Sequence, residues 1–304
     1  MIAAMERYLA VRRAAGFDLS SSGFLLASFA RFAAERQQTV VSAETAITWA
    51  AEGPSVAQRH ERLNTICRFV RFAQLEDPRN ELPPANYFGY RKRRPLPHIY
   101  TTEEIDRLIK AALRLHPNGT MRGRTYAALL ALLFATGLRI SEALNLRFAD
   151  ITADGLLIRE TKFRKTRLVP LHDTAIAGLR DYLVCRRQIG AAEDHLFVQN
   201  NGRRLRYPHV QSTFLTLLKW STLWKTSGHQ RRPRLHDARH TFAVRALQSC
   251  PAGRSRIGQH MVALATYLGH VNIYATYWYL DAAPELLADI ADVTEAFLCG
   301  GAES

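Results

Sequence analysis

Four separated stretches of the chain contain side chains that could act on a phosphate group. They are TGLRISEALNL with Arg139, TKFRKTRLVPL with Lys162, LHDARHTF with His236 and Arg239, and YLGHVNIYATYWYL with His270 and Tyr279. Guanidinium groups are planar, permanently charged and able to form paired hydrogen bonds, so Arg139 and Arg239 are suited to neutralising phosphoryl oxygens. A tyrosine can attack phosphorus when a base and positive charge assist it. Each stretch alone is a weak signal, because single residues of these types usually have structural or solvent-facing roles.

Spacing relates some of these side chains to one another. His236 and Arg239 are three residues apart, and residues at that spacing share one face of a helix. His236 could therefore accept a proton near the group that Arg239 binds. Glu142 lies three residues after Arg139 and could orient it, or it could be an acid favoured by the dipole at a helix start.

Tyr279 follows His270 by nine residues. On one continuous helix, about 100° per residue would place them on opposite faces, so the chain must turn between them. Gly269 precedes His270, and Asn272 is a plausible N-cap for a new helix. Tyr274 and Tyr277 are competing nucleophiles that we interpret as packing residues, with Tyr277 the second choice.

The sequence predicts neither a metal site nor a cofactor site. No carboxylate cluster with metal-site spacing accompanies the arginines, so the charge-stabilising role would fall to side chains. His236 and His240 are four residues apart, but HDARH lacks the glutamate next to the first histidine that the zinc motif HExxH has.

Together and in this order, the four stretches resemble the tyrosine recombinase (phage integrase) family over about residues 100–283. TGLRISEAL, RLVPL, RHTFA and YLGH match its motifs almost letter for letter, and the nine-residue step to Tyr279 matches the family's nucleophile. The stretch ATYLGHVNIYATYWYL is most similar to transposon-encoded members. A segment near residues 248–262 is longer than usual, and we expect an inserted loop there.

The resemblance implies a role for each candidate. Tyr279 would form a 3′-phosphotyrosine and leave a free 5′-hydroxyl, without metal or ATP. Lys162 would protonate the leaving oxygen, with Lys165 as the alternative; Phe163 stands where a glycine is common. His270 would hydrogen-bond a non-bridging oxygen, and Arg139, Arg239 and His236 would have the roles described above.

We predict a mainly α fold with small β-hairpins (α+β), divided into a helical DNA-clamping domain (1–86), a basic proline-containing linker (87–100), a mixed catalytic domain (101–283) and a C-terminal helix or tail (284–304). Thr101 and Glu104 predict a capping box that opens a helix, and Gly137 predicts the end of a buried one. GLLIRE and TRLVPL predict a hairpin, and Asn201-Gly202 predicts a turn.

The charge of the chain predicts a polyanionic partner. The formal net charge is +14, and no Lys or Arg follows Arg256, so the excess belongs to the preceding chain. Double-stranded DNA is the leading candidate and a membrane surface the second. Basic side chains on one predicted helix and in one basic run could contact DNA phosphates, or could be solvated surface. These candidates are Arg59, Arg62, Arg68 and Arg71 on the helix, and Arg91, Lys92, Arg93 and Arg94 in the run.

The tail PELLADIADVTEAFL has one apolar side, which could dock onto its own domain or onto a neighbouring protomer. The resemblance implies a tetramer on synapsed DNA with exchange of C-terminal helices, and some transposon systems need partner recombinases. The chain shows neither a signal peptide nor a membrane-spanning run, and its four cysteines lack CxxC spacing. We therefore expect a cytoplasmic protein that associates with the nucleoid when bound to DNA.

The favoured function is site-specific DNA recombination, for integration and excision or for transposition. Two alternatives remain at this point. One is an accessory protein that binds DNA without cleaving it, and the other is a relaxing enzyme similar to type IB topoisomerases. Every catalytic position is filled, which argues against the first.

Overall fold

The structure is a computed structural model that describes residues 1–91, 96–117, 120–159, 166–189, 194–224, 232–249 and 257–270, together with Thr276 and Tyr279. The chain divides into two compact units, with the boundary between Arg94 and Pro95. The extents of the four predicted domains remain predictions.

The described part of the first unit forms four helices around one apolar core. They are α1 (Ile2–Ala14), α2 (Ser20–Ala34), α3 (Ala43–Ala51) and α4 (Val56–Ala73). Ser42 and Ser55 cap α3 and α4 by accepting hydrogen bonds from backbone N–H groups. Phe29 meets Trp49 edge to face, with ring centroids 5.4 Å apart. Helix α4 packs against this core with one apolar face, since Leu63, Ile66, Cys67 and Val70 are all buried.

The second unit contains the remaining described elements. Its helices are α5 (Thr102–Leu113), α6 (Met121–Thr136), α7 (Ile140–Asn145), α8 (Asp173–Arg187), α9 (Tyr207–Trp220), α10 (Asp237–Gln248) and α11 (Ile257–Leu268). The predicted capping box is confirmed, since Thr101 and Glu104 exchange hydrogen bonds at the start of α5. Helix α6 contacts α5, α7, α8 and α10, and buries Leu129 and Leu133. It is therefore the central helix of this unit.

A three-stranded antiparallel sheet lies between α7 and α8 in the chain. Its strands are β1 (Ile151–Thr152), β2 (Gly155–Ile158) and β3 (Arg167–Val169), in the order β1-β2-β3. Strands β2 and β3 confirm the predicted hairpin, with Ile158 opposite Arg167. Strand β1 was not predicted. The residues that connect β2 to β3, including Lys162, lie mostly outside the described part of the chain.

Helix α6 ends where the sequence predicts. Gly137 takes a left-handed conformation with φ +61°, and its N–H donates to the Leu133 carbonyl at 2.9 Å. A Cβ atom at this position would lie 2.6 Å from the Phe242 ring, so the close approach also requires glycine. This tight end sets the path of the next residues, Leu138 and Arg139.

The predicted fold class, mainly α with a small β-hairpin sheet, is confirmed. The turn at Asn201-Gly202 is confirmed as well, because Gly202 has φ +73° and Val198 bridges to Arg204. None of the helices in the described part of the chain is both long enough and apolar enough to cross a membrane.

Candidate active site

Arg139 stands at the junction of α6 and α7. It is the N-cap of α7, and its backbone N–H donates to Glu142 Oε2 at 2.9 Å. Its Nη1 donates to Glu142 Oε1 at 2.7 Å, and its Nη2 donates to the Gly269 carbonyl at 3.3 Å. One carboxylate therefore both caps α7 and binds the Arg139 guanidinium group.

Arg239 lies in the first turns of α10 and is 2 % exposed. Its Nη1 donates to the Gly137 carbonyl at 2.9 Å, and its Nη2 donates to the Leu268 carbonyl at 2.6 Å. The ends of α6 and α11 thus meet at this one side chain. Since a guanidinium group has five N–H donors, these two bonds leave others for a ligand.

His236 is the residue before α10, where it takes the N-cap position in a helical conformation. The residue is exposed. Partial desolvation of its ring nevertheless lowers the pKa of His236, and the charges of Arg239, Arg234 and Arg139 lower it further, against the opposing effect of Asp237. A neutral imidazole at pH 7 can accept a proton.

His270 follows the C-terminal end of α11, which closes in a Schellman motif. Gly269 has φ +66°, its N–H donates to the Thr266 carbonyl at 3.0 Å, and the His270 N–H donates to the Ala265 carbonyl at 2.9 Å. The His270 Nδ1 atom is 2.8 Å from the Thr276 hydroxyl. Backbone and side chain are therefore both held.

Tyr279 packs between two histidines and is only 2 % exposed. Its ring stacks with His270 at a centroid distance of 6.0 Å and meets His240 at 5.5 Å. Burial raises the pKa of Tyr279 above its ordinary value, although the charge and a hydrogen bond of Arg239 and the charge of Arg139 oppose that rise. The hydroxyl is thus protonated at pH 7 and needs a base before it can attack.

Burial also keeps the neighbouring histidines neutral. It lowers the pKa of His270 to about 4, helped by the charges of Arg239, Arg139 and Arg167. It lowers the pKa of His240 to about 3, helped by His236 and nearby arginines. Positive charge at this site therefore comes from guanidinium groups at neutral pH.

Arg167 is the residue of this cluster that the sequence interpretation missed. It begins β3, is 13 % exposed in its side chain, and donates from Nη2 to Glu142 Oε2 at 2.8 Å and from Nη1 to Glu142 Oε1 at 3.1 Å. Burial alone would raise the pKa of Glu142, but Arg167 and Arg139 outweigh it and hold that pKa below its ordinary value. The motif TRLVPL contained Arg167, but no local signal linked it to Glu142, 25 residues earlier.

The cluster has an excess of positive charge. The guanidinium groups of Arg139, Arg167 and Arg239 lie around the carboxylate of Glu142, and these four described side chains together carry two more positive charges than negative ones. Burial lowers the pKa of Arg239 to about 10, and the neighbouring charge of Arg139 contributes. A site that holds like charges together in a water-poor setting favours an anion such as a phosphodiester.

The comparisons with known proteins agree with this chemistry. The family model described as the phage integrase family matches residues 99–285. A putative integrase/recombinase, y4rB of Sinorhizobium fredii, is 38 % identical over 94 % of this chain and 94 % of its own length. The chain belongs to the phage integrase family of tyrosine recombinases.

Further relatives of this recombinase share its sequence or its fold. Tyrosine recombinase XerD of Oceanobacillus iheyensis is 30 % identical over 79 % of this chain and 76 % of its own. A lambda integrase tetramer bound to a Holliday junction has a TM-score of 0.63 at 14 % identity, covering 91 % of this chain and 76 % of that one. The Tn1549 transposon integrase in complex with transposon right end DNA has a TM-score of 0.62 at 18 % identity, covering 95 % and 99 %.

The candidate DNA-contacting arginines of the recombinase differ in their surroundings. Arg62 lies 4.1 Å above the Trp49 ring, and its side chain is 16 % exposed. Arg59 donates from Nε to the Gly53 carbonyl at 2.7 Å, and Arg68 pairs with Glu61 at 3.3 Å. Arg71 is exposed, as is Arg91. DNA contact by any of them remains a prediction.

Other predictions fall on residues that the structure does not describe. These are the proton donor Lys162 with its alternative Lys165, the basic residues Lys92, Arg93 and Arg94, the competing nucleophiles Tyr274 and Tyr277, most of the expected insertion near 248–262, and the tail 284–304. Among the residues that are described, no group of three or more His, Cys, Asp and Glu side chains could hold a metal ion.

Proposed function

We propose that this chain is a site-specific DNA recombinase that cleaves and rejoins DNA through a covalent 3′-phosphotyrosine at Tyr279, without metal or ATP. The observation that supports this most directly is the excess of arginine charge beside a buried tyrosine. Arg239 hydrogen-bonds the Tyr279 hydroxyl, and the charge of Arg139 reaches the same ring. This arrangement supports Tyr279 as the nucleophile and Arg139 and Arg239 as the groups that bind the phosphate.

The reaction balances with side chains alone. The Tyr279 oxygen attacks phosphorus and gives up its proton, and the bond from phosphorus to the 5′-oxygen breaks. The leaving oxygen takes a proton and becomes a free 5′-hydroxyl. Arg139 and Arg239 stabilise the charge that develops on the non-bridging oxygens. Stabilisation of this kind, by preorganised hydrogen-bond donors, is usually the largest single contribution to catalysis. Religation is the reverse reaction, so the phosphotyrosine conserves the bond energy.

Two neutral histidines and a lysine accept the proton of the tyrosine, donate a hydrogen bond to the phosphate and protonate the leaving oxygen. His236 accepts the tyrosine proton, which its lowered pKa permits at pH 7. His270 donates a hydrogen bond to a non-bridging oxygen from the ring nitrogen that does not face Thr276. Lys162 protonates the leaving oxygen, as the family resemblance implies.

The proposed substrate is double-stranded DNA, and the proposed assembly is a tetramer on two synapsed sites with exchange of the 284–304 tails. The net charge of +14 supports DNA binding. The lambda integrase tetramer on a Holliday junction and the Tn1549 integrase with transposon end DNA share this fold and support the assembly and a role in integration, excision or transposition.

A suicide-substrate assay tests the proposal. Protein is mixed with nicked DNA from the ends of its own element or the flanks of its locus, in EDTA, and products are separated on a denaturing gel. We expect a covalent protein–DNA band that Tyr279→Phe abolishes. Tyr267→Phe is the matched control, since it removes the hydroxyl of a neighbouring half-buried tyrosine and should keep the band.

Other outcomes would change the proposal. A band that persists in Tyr279→Phe would move the nucleophile to Tyr277 or Tyr274. DNA binding without any covalent product, in the wild type, would favour the accessory-protein function. A monomer that relaxes supercoils and does not join two sites would favour the topoisomerase-like alternative.

A further inference from the structure

Three consecutive backbone carbonyls at the end of α11 each accept a hydrogen bond from a different arginine. The Tyr267 carbonyl accepts from Arg167 Nε at 2.9 Å, the Leu268 carbonyl from Arg239 Nη2 at 2.6 Å, and the Gly269 carbonyl from Arg139 Nη2 at 3.3 Å. The last carbonyls of a helix have no partner within the helix and form the negative end of its dipole, so cations stabilise them. We call this group the arginine cap of α11.

Two of these arginines belong to the proposed phosphate site, and Arg167 does not. Arg167 differs because each of its three nitrogens has a partner: Nε binds the Tyr267 carbonyl, while Nη1 and Nη2 bind the Glu142 carboxylate. Arg139 binds the same carboxylate. Arg167 thus ties together β3, the carboxylate that orients Arg139, and the helix end that precedes His270.

The packing around Arg167 leaves it little freedom. Its side chain is 13 % exposed, and a Cβ atom on Gly269 would lie 3.0 Å from its Nη1. Its strand also begins one residue after Thr166, which follows the segment that contains Lys162. A displacement of this guanidinium group would therefore disturb the arginine cap, Glu142 and the end of the hairpin together.

We propose that Arg167 is a positioning residue for the cleavage reaction, which holds His270 through the end of α11 and Arg139 through Glu142. This inference rests on the proposed function. It assigns Arg167 an effect on the rate of chemistry rather than on DNA affinity, because each of its three nitrogens already donates to a group of the protein. Misplacing reacting groups by about 1 Å can cost about 10²-fold in rate.

The test separates cleavage from binding. Single-turnover formation of the covalent complex is measured at saturating nicked DNA, and the DNA dissociation constant is measured separately by gel shift. For Arg167→Ala we expect cleavage slower by about 10²-fold, with the dissociation constant within about threefold of wild type because many phosphate contacts remain. Arg167→Lys should recover part of the rate, since a lysine keeps the charge but not the planar fork.

Arg159→Ala is the matched control. Arg159 follows the neighbouring strand β2 and pairs with the buried Asp150 at 2.6 Å, but its side chain is 57 % exposed. The Arg159→Ala substitution removes an arginine–carboxylate pair beside the same sheet and leaves the contacts of α11 in place. The variant should therefore cleave DNA at the wild-type rate. Thermal unfolding of each variant shows whether the fold is kept.

The outcomes are decisive in either direction. Cleavage at the wild-type rate in Arg167→Ala would overturn the inference, as would equal losses of cleavage and DNA affinity. If Arg167→Ala fails to fold, Arg167→Lys decides: slower cleavage with normal affinity supports the inference, and wild-type cleavage overturns it. A wild-type protein that forms no covalent product would overturn the proposed function and this inference with it.

Discussion

Burial keeps the ring side chains of Tyr279, His240 and His270 neutral at pH 7. Tyr279 stays protonated because its pKa is raised, and His240 and His270 stay unprotonated because their pKa values are lowered to about 3 and about 4. The two kinds of shift have one cause, since removal from water penalises each charged form. The site therefore presents its positive charge through guanidinium groups, whose number does not change over the physiological pH range.

We predict that His240 does not titrate above pH 5. Its folded pKa of about 3 lies below the ordinary value, because burial and the charges of His236, Arg234, Arg239 and His270 disfavour the protonated form. Titration of ring-labelled histidine by NMR, with His240→Asn to assign the signal, measures it. A midpoint near 6.5 would contradict the prediction.

The same shift predicts how stability depends on pH. Between about pH 6.5 and 3 the unfolded chain binds a proton at His240 and the folded chain does not, so stability falls as the pH falls, by up to about 1.4 kcal/mol per pH unit. We therefore expect the loss of stability between pH 7 and pH 5, followed by urea unfolding, to be smaller in His240→Asn than in wild type.

Residues with a motif were predictable, and residues with only a tertiary role were not. Arg139, Glu142 and Arg239 are each marked by local sequence, and the structure brings the three together around the ends of α6 and α11. Arg167 contacts the Tyr267 carbonyl, which is 100 residues away along the chain. A single arginine at the start of a strand is compatible with many roles, so this contact emerges only when the helices pack.

Elements with strong local signals were predicted correctly. The capping box of Thr101 and Glu104 marks the start of α5, and Gly137 marks the end of α6, because both depend on side chains within a few residues. Strand β1 has two residues and pairs through Ile151 and Thr152, so it has no alternation to detect. The Schellman motif at Gly269 also depends on a local glycine. The arginine cap of α11 depends instead on three arginines from distant parts of the chain.

The end of α6 provides a stability prediction at the scale of one element. In Gly137→Ala the left-handed φ costs about 1–2 kcal/mol, and the new Cβ atom would lie 2.6 Å from Phe242, which adds about 1–3 kcal/mol of overpacking. Together these cost about 2–5 kcal/mol, so we expect the unfolding temperature of the second unit to fall by about 4–20 °C, at about 2–4 °C per kcal/mol. Scanning calorimetry measures this shift.

Gly178→Ala is the control for that experiment. Gly178 lies inside α8, is exposed, and has nothing within 4 Å of the position where its Cβ would lie. Alanine is favoured over glycine within a helix by about 0.5–1 kcal/mol, so this variant should be slightly more stable. Equal destabilisation by both substitutions would show that the conformation and contacts of Gly137 are not what matters.

For the whole molecule, the dominant property is its charge. A net charge of +14 predicts that DNA affinity falls steeply as salt rises, because each phosphate contact releases condensed counterions. The slope of log affinity against log salt counts those contacts. It therefore distinguishes arginines that contact phosphate from those that only stabilise the fold.

Two arginines on α4 give that distinction a direct test. Arg71 is exposed, so we expect Arg71→Gln to reduce the salt slope by about one and to leave thermal stability unchanged. Arg62 lies over the Trp49 ring at 4.1 Å and pairs with Glu52 at 3.6 Å. Arg62→Gln should therefore lower the unfolding temperature of the first unit and leave the slope unchanged. If Arg62→Gln reduced the salt slope and Arg71→Gln left it unchanged, Arg62 would contact DNA and Arg71 would be solvated. The position of Arg62 over the Trp49 ring argues against that result.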